Sequence, residues 1–257
     1  MRVPALLEVH ELTHAFGGVM AVNALSFRLH EGTIASLIGP NGAGKTTVFN
    51  CITGIYRPSR GSIIFRQRNL RGMRPHRIAQ LGLVRTFQSI RLFPNMTALD
   101  NVLAGRHCRT ESGVLSAILR APWQQREERD SIARAEEMLA FVGLAAQRDS
   151  LAAGLSYGDQ RRLEIARALA VEPTLLVLDE PAAGMNPVEK DRLARLIYRI
   201  RERGITVLLI DHDMRLVMSI SDHVTVLNYG RKIASGTPQE VQRDPAVIEA
   251  YLGTDED

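Results

Sequence analysis

Residues 39–46 read Gly-Pro-Asn-Gly-Ala-Gly-Lys-Thr and match the pattern G-x-x-x-x-G-K-[ST]. They follow the short apolar run 33–38 and precede residues 45–55, whose spacing predicts a helix. Glycines let the backbone approach an anion closely, so that N–H groups and the helix start face a phosphate. The sequence therefore predicts a phosphate loop between a strand and a helix, with these candidate ligands: Gly39, Asn41, Gly42, Gly44, Lys45, Thr46 and Thr47.

A pair of carboxylates follows the apolar run 174–178, namely Asp179 and Glu180. The carboxyl ends of parallel strands form the ligand crevice of an α/β sheet, which places this pair beside the phosphate loop. Lys45 suits the β- and γ-phosphates, while the Thr46 hydroxyl and Asp179 suit Mg²⁺. Glu180 suits a general base that polarises the attacking water. The alternative is a surface turn, which does not account for the neighbouring loop.

A histidine follows a second apolar run, 205–210, in the sequence Asp-His-Asp at 211–213. A lone histidine is more often structural than catalytic. At the end of a strand in the same sheet, however, His212 reaches the same crevice, where we expect it to contact the γ-phosphate.

Short apolar runs alternate with segments of helical spacing along the chain, which indicates a parallel sheet covered on both faces. We expect an α/β fold: a P-loop ATPase core with a parallel sheet, a leading antiparallel β piece and a helical subdomain. A single domain spans 1–257. Within it, the core takes about 1–88 and 156–237, the helical subdomain about 89–155, and a helical tail about 238–257.

The composition excludes several classes of protein. The chain has 257 residues, 45% of them hydrophobic, and a formal net charge of +4. No apolar run is long enough to span a bilayer, and the first residues do not form a secretory signal. Cys51 and Cys108 have neither a disulfide framework nor a metal spacing, and we expect Cys51 to be buried. We expect a soluble cytoplasmic globule.

Residues 155–160, Leu-Ser-Tyr-Gly-Asp-Gln, run into a helical segment at 161–169 that begins Arg-Arg-Leu-Glu. This segment resembles the signature of ABC ATPases and lies, as in that family, shortly before the Asp-Glu strand. The resemblance implies that two nucleotide-binding domains meet head to tail around ATP. It assigns Ser156 and Gly158 to the γ-phosphate across the dimer and Phe16 to adenine stacking. It also assigns Gln88 to Mg²⁺, the water and the transmembrane partner.

Three further segments, 85–93, 180–187 and 247–253, resemble the larger ATP-binding subunit of branched-chain amino-acid transporters. This resemblance implies an ATPase that uses ATP and Mg²⁺ to energise import. Its implied partners are two transmembrane permease subunits, a second ATP-binding subunit in a heterodimer, and an extracytoplasmic substrate-binding protein. The implied location is peripheral, on the cytoplasmic face of the inner (plasma) membrane.

Four residues differ from the general ABC pattern: Tyr157, Asp159, Asn186 and Asp211. Tyr157 and Asn186 fit the branched-chain subfamily, whereas Asp159 puts one contact across the dimer in doubt. Asp211 stands where the subfamily usually has glutamate. No departure removes a phosphate, metal or base group.

An arginine-rich stretch, 57–91, contains nine arginines and no acidic residue. We interpret it as a solvated face, and the alternative is a face near the anionic leaflet of the membrane. It lacks the interleaved aromatics of a nucleic-acid module, and we expect no nucleic-acid partner.

Other functions stay open within the family. A urea or amide importer and a lipopolysaccharide exporter use related ATPases. A soluble ABC ATPase acting on nucleic acid or ribosomes is disfavoured by the single phosphate loop, the single signature and the missing heptad run. A non-hydrolysing nucleotide-binding module is disfavoured because both Glu180 and His212 are present.

Overall fold

The computed structural model describes residues 5–106 and 122–252. The middle of the predicted helical region 97–144, Cys108 and the last residues of the tail lie outside these ranges. Among the helices that are described, none is long and apolar enough to pass through a bilayer.

A six-stranded sheet forms the centre of the molecule, in the order β10-β9-β3-β8-β7-β6. The strands from β9 to β6 pair in parallel, and β10 pairs antiparallel with β9 at one edge. The bounds are β3 Ile34–Ile38, β6 Leu83–Arg85, β7 Leu175–Asp179, β8 Thr206–Ile210, β9 His223–Asn228 and β10 Arg231–Gly236.

Both faces of this sheet are covered, as its uninterrupted apolar strands require. Side chains alternate along a strand, so Leu176 and Leu178 of β7 enter one hydrophobic cluster, whereas Leu175 and Val177 enter the other. The α/β architecture predicted from the sequence is confirmed.

A separate antiparallel sheet, ordered β2-β1-β4-β5, covers one side of the core. Its strands are β1 Ala5–Phe16, β2 Val19–His30, β4 Arg60–Phe65 and β5 Arg68–Asn69. Leu7, Phe27 and Phe65 from this sheet share one cluster with Phe49, which lies on the helix after the phosphate loop. The first helix is thereby held between the two sheets.

The helices are distributed over both faces of the central sheet. Val102, Leu139 and Leu163, from three helices of the region between β6 and β7, join the cluster on the side away from the antiparallel sheet. The bounds are α1 Lys45–Ile52, α2 Pro75–Gln80, α3 Ala98–Arg106, α4 Pro122–Val142, α5 Tyr157–Leu169, α6 Pro187–Glu202, α7 Met214–Ile220, α8 Pro238–Gln242 and α9 Pro245–Leu252, with short 3-10 helices at Ala145–Gln147 and Ala152–Gly154.

The structure differs from the sequence-based expectation in local detail. Helix α1 ends at Ile52 rather than at residue 55, because the chain turns at Gly54 with a positive φ of 76°. The arginine-rich stretch contains β5, α2 and β6, and α7 follows the Asp-His-Asp segment. Cys51 is buried, as expected, at 2% exposure.

Candidate functional site

The phosphate loop connects β3 to α1, in the context that the sequence predicts. A Cβ atom at Gly39 would collide with the backbone oxygen of Leu227. At Gly44, which has a φ of 97°, it would collide with the backbone oxygen of Ala21. The loop therefore needs glycine at these two positions, and its path is fixed by β9 and β2. Asn41, Gly42 and Thr46 are exposed along this loop.

Lys45 is the buried cation of the loop, with 8% exposure. Its ammonium donates to the backbone oxygens of Gly39 at 2.6 Å and Pro40 at 2.8 Å. Burial lowers the pKa of Lys45, and the carboxylates of Glu180 and Asp179 oppose that change. The two adjacent carboxylates are thus electrostatic neighbours of Lys45, which links the end of β7 to the phosphate loop.

Three predicted catalytic side chains meet at the carboxyl edge of the sheet. Gln88 Nε2 donates to Glu180 Oε2 at 2.8 Å, and His212 Nδ1 lies 3.7 Å from the same oxygen. Glu180 has a positive φ of 46°, and its N–H donates to the backbone oxygen of Ile210 at 2.7 Å. That bond to the end of β8 fixes the strained residue beside the segment that carries His212.

Asp179 and Asp211 are buried carboxylates with different partners. Asp179 is paired with Arg85, whose Nη2 lies 2.5 Å from its Oδ2. Asp211 accepts from the N–H groups of Ala182 at 3.2 Å and Asp213 at 2.9 Å. Burial raises the pKa of Asp211, against these backbone hydrogen bonds. Asp211 therefore joins the loop after β7 to the loop after β8.

The segment that carries Gln88 is attached to the helix of the signature. Arg161, 1% exposed, donates to the backbone oxygens of Phe87 at 2.7 Å and Gln88 at 2.6 Å. It also pairs at 3.0 Å with Glu164, whose Oε1 accepts from the N–H of Phe87 at 3.4 Å. Burial raises the pKa of Glu164, and Arg161 opposes that change. Helix α5 and the Gln88 segment thus form one hydrogen-bonded unit.

The signature residues lie at the start of α5. Ser156 is the N-cap, and its hydroxyl accepts from the N–H of Asp159 at 3.2 Å. Gly158 lies against Glu189 of α6, while the Asp159 carboxylate pairs with Arg162 on its own helix. Within the described ranges, no hydrogen bond or ion pair joins Ser156 or Gly158 to the phosphate loop.

An aromatic cluster surrounds Phe16, the residue that the resemblance assigns to adenine. Phe16 is 45% exposed, and its ring centroid lies 4.7 Å from that of His14 and 5.3 Å from that of Tyr56. His14 and Tyr56 stack on each other at 5.4 Å. This arrangement supports one edge of Phe16 and leaves ring surface exposed for a planar group.

The C-terminal helix also reaches the phosphate loop. Burial raises the pKa of Tyr251 to about 12, and a hydrogen bond with the backbone of Gly39 opposes that change. Sequence reasoning used Tyr251 only as part of a resemblance, and it gave no role to Arg85, Arg161 or Tyr56. The three-residue run of β6, Leu-Val-Arg at 83–85, is too short to show a period, so no signal in the sequence placed Arg85 on the buried side.

The arginines of the stretch 57–91 are exposed, with one exception. The interpretation of the whole stretch as a solvated face is wrong for Arg85: its side chain is 6% exposed because it enters the crevice beside Asp179. The remaining members are exposed: Arg57, Arg60, Arg66, Arg68, Arg71, Arg74, Arg77 and Arg91.

The donor set fits a magnesium ion that is held jointly with phosphates. The Thr46 hydroxyl, the Asp179 carboxylate and the Gln88 amide offer hard oxygen atoms, which Mg²⁺ prefers. Between residues 5–106 and 122–252, no group of three or more His, Cys, Asp and Glu side chains could hold a metal by itself. Such sparse ligation suits Mg²⁺, which usually keeps several waters and binds substrate phosphates.

Comparison with known proteins agrees with this geometry. Residues 22–183 match the family described as ABC transporter, and residues 231–257 match the branched-chain amino acid ATP-binding cassette transporter family. The chain is 49% identical to the high-affinity branched-chain amino acid transport ATP-binding proteins LivG of Salmonella typhimurium and BraF of Pseudomonas aeruginosa. Each alignment covers 96% of this chain and 98% of the relative.

A solved structure agrees as well. The crystal structure of an ATP-binding cassette of an ABC transporter in its ADP conformation superimposes with a TM-score of 0.85 at 32% identity. The superposition covers 97% of this chain and 99% of the chain in the crystal structure. The phosphate loop, the contacts among Gln88, Glu180 and His212, and these similarities lead to one conclusion: the chain belongs to the ATP-binding subunits of ABC transporters, in their branched-chain amino acid group, and is an ABC ATPase.

Proposed function

We propose that this ATPase energises the import of branched-chain amino acids. The observation that carries the proposal is the similarity, over nearly the whole chain, to two proteins named for high-affinity branched-chain amino acid transport. The separate match of residues 231–257 to a branched-chain family supports it. In the architecture that the resemblance implies, the transported molecule does not touch the ATPase subunit, so the substrate is proposed from the relatives and not from a pocket of this chain.

In the proposed reaction Glu180 is the general base. Its carboxylate is 20% exposed and accepts from Gln88, so it is fixed in place yet open to a water molecule. A carboxylate in this position takes a proton from the water as that water attacks the γ-phosphate. His212, 3.7 Å from Glu180, contacts the γ-phosphate and orients the base. Gln88 senses the partner and positions the water.

The phosphate loop binds the triphosphate. Lys45 leaves the Gly39 and Pro40 oxygens and donates to the β- and γ-phosphates, where its charge offsets theirs. Backbone N–H groups of the loop, together with Asn41 and Thr47, complete the cradle. Thr46, Asp179 and Gln88 would hold Mg²⁺, and the bound ion would offset negative charge on the phosphate oxygens.

A complete site requires a second ATP-binding subunit. Ser156 and Gly158 lie at the positive end of α5, which favours the γ-phosphate of a nucleotide held by that partner. Phe16 stacks on the adenine of the nucleotide bound to its own loop. We propose a heterodimer, because the implied transporter pairs two different ATPases.

The assembly we propose contains two permease subunits and an extracytoplasmic substrate-binding protein. The ATPase is peripheral, on the cytoplasmic face of the membrane.

We retain the division into a core (about 1–88 and 156–237), a helical subdomain (about 89–155) and a tail (about 238–257). The exposed arginines of 57–91 are free to meet anionic lipid, since each basic residue near such a surface contributes about 1 kcal/mol.

Uptake by cells that lack the gene tests the substrate. The cells are given radiolabelled leucine, isoleucine, valine or urea, and are complemented with the wild-type chain or with Lys45→Ala. We expect the wild-type chain, and not the variant, to restore uptake of the three amino acids. Restoration of urea uptake alone, or no change in any uptake, would contradict the proposal.

A further inference from the structure

We propose that Arg85 is a positioning residue that orients Asp179 and thereby sets how strongly Mg²⁺ increases nucleotide affinity. This inference rests on the proposed role of Asp179 at the Mg²⁺ site. It starts from the burial of an arginine that the sequence placed on a solvated face.

The strand geometry brings the two residues together. Arg85 lies opposite Val177 in the parallel pairing of β6 with β7, and Asp179 follows Val177 by two positions. Because side chains alternate along a strand, Leu175, Val177 and Asp179 share one face of the sheet, the face covered by α1. Leu83 and Arg85 lie on that same face of β6. Their side chains are therefore enclosed between the sheet and the helix that begins with Lys45.

The contacts of Arg85 connect the helix to the strand. Its Nη2 lies 2.5 Å from Asp179 Oδ2, and its Nη1 donates to Asn50 Oδ1 of α1 at 2.6 Å. The guanidinium carbon lies 5.7 Å from the ring centroid of Phe49 and 5.3 Å from that of Phe87. Side-chain exposure is 6% for Arg85 and 4% for Asp179. The guanidinium is thus packed between two rings and anchored at both ends.

This arrangement directs the Asp179 carboxylate. One carboxylate oxygen is taken by the guanidinium, so the other is the oxygen left to face the metal side of the crevice. Asn50 fixes the guanidinium to α1, the helix whose first two residues are Lys45 and Thr46. Arginine suits this task because its planar fork holds two partners at a fixed angle, which the single ammonium of lysine does not do.

Arg85 also connects Asp179, the proposed Mg²⁺ ligand, to the segment that carries Gln88. Arg85 is three positions before Gln88, and Phe87 between them packs on its guanidinium. The Phe87 ring also lies 4.6 Å from the Arg91 guanidinium carbon. A change in the path of the Gln88 segment therefore reaches Asp179 through one buried side chain.

Nucleotide titrations of the purified full-length chain test the proposal. The dissociation constant of a fluorescent ATP analogue is measured in EDTA and in Mg²⁺ for wild type, Arg85→Gln and Arg85→Lys. Residues that orient a metal ligand typically change metal affinity by 10–100-fold. We expect Arg85→Gln to reduce the gain in affinity on adding Mg²⁺ by about tenfold, with the EDTA value near that of wild type. Arg85→Lys should reduce the gain less.

The control is Arg106→Gln, because Arg106 is also a poorly exposed arginine in an ion pair, here with Glu172. It should leave the Mg²⁺ gain unchanged. An unchanged gain in Arg85→Gln, or equal losses with and without Mg²⁺, would overturn the inference. If Arg85→Gln does not fold, Arg85→Lys decides by the same criterion. Absence of any Mg²⁺ gain in wild type would instead refute the proposed metal site.

Discussion

Replacing Arg161 by methionine should destabilise the subunit far more than replacing its partner Glu164 by glutamine. Arg161→Met removes the donor to the backbone oxygens of Phe87 and Gln88 and leaves the Glu164 carboxylate buried at 1% exposure. Breaking a buried pair from one side costs about 3–5 kcal/mol. Glu164→Gln keeps an acceptor oxygen for Arg161 and loses only the weak acceptor of the Phe87 N–H at 3.4 Å, so it should cost about 1 kcal/mol.

The raised pKa of Glu164 leads to the same asymmetry. Burial raises the pKa of Glu164 against the opposing charge of Arg161, so we expect a neutral amide at this position to cost less than the loss of the guanidinium. For a chain of this size each kcal/mol corresponds to about 2–4 °C in Tm. Arg161→Met should therefore lower the Tm by about 10 °C, and Glu164→Gln by about 3 °C.

Thermal and urea unfolding followed by circular dichroism measure both changes. Arg134→Met is the control, because Arg134 is 61% exposed in its pair with Glu137, and it should change stability by less than about 0.5 kcal/mol. The reasoning is refuted if Arg161→Met stays within about 1 kcal/mol of wild type. Equal losses in the Arg161 and Glu164 variants would refute it as well.

Three further outcomes are expected. Lys45→Ala should weaken ATP and ADP binding, because the cation at the phosphates is lost, and unchanged affinity in a fluorescent-nucleotide titration would contradict its role. Phe16→Ala should reduce ATP affinity by about 1–3 kcal/mol and leave inorganic triphosphate binding unchanged; equal losses for both ligands would exclude stacking. The hydrogen bond from Lys190 holds the pKa of Asp213 below its usual range, so the stability that Asp213 contributes is present above about pH 4 and is lost as the pH falls through the lowered value. Asp213→Asn should therefore flatten the acid limb of an unfolding titration, and an unaltered limb would argue against the pair.

The sequence was sufficient where the chemistry depends on neighbours along the chain. The phosphate loop is a contiguous pattern with a strand before it and a helix after it, and the structure has this order. Glu180 and His212 each follow an apolar strand, and parallel strands of one sheet bring their carboxyl ends to one edge. The proximity of Glu180 and His212 was therefore foreseeable from topology, whereas the role of Gln88 came from the resemblance alone.

The buried arginines were not foreseeable in this way. Arg85 and Asp179 are 94 positions apart, and Arg161 and Phe87 are 74 apart. Arginine is rarely buried unless it is paired, so a sequence alone predicts an exposed side chain. The partners that make burial of Arg85 and Arg161 possible, namely carboxylates, backbone carbonyls and aromatic rings, come together only in the tertiary structure. Short elements were missed for a related reason: β6 and α7 are too short to show a clear period.

The most direct test of the proposed mechanism is ATP hydrolysis by the assembled transporter carrying Glu180→Gln. The carboxamide keeps the hydrogen bond from Gln88 possible but cannot take a proton from water. ATP should bind with wild-type affinity, while phosphate release from the site on this subunit's phosphate loop falls by about 100-fold or more, and the paired ATPases should remain closed around that nucleotide. Phosphate release at the wild-type rate would contradict the assignment of Glu180 as the base.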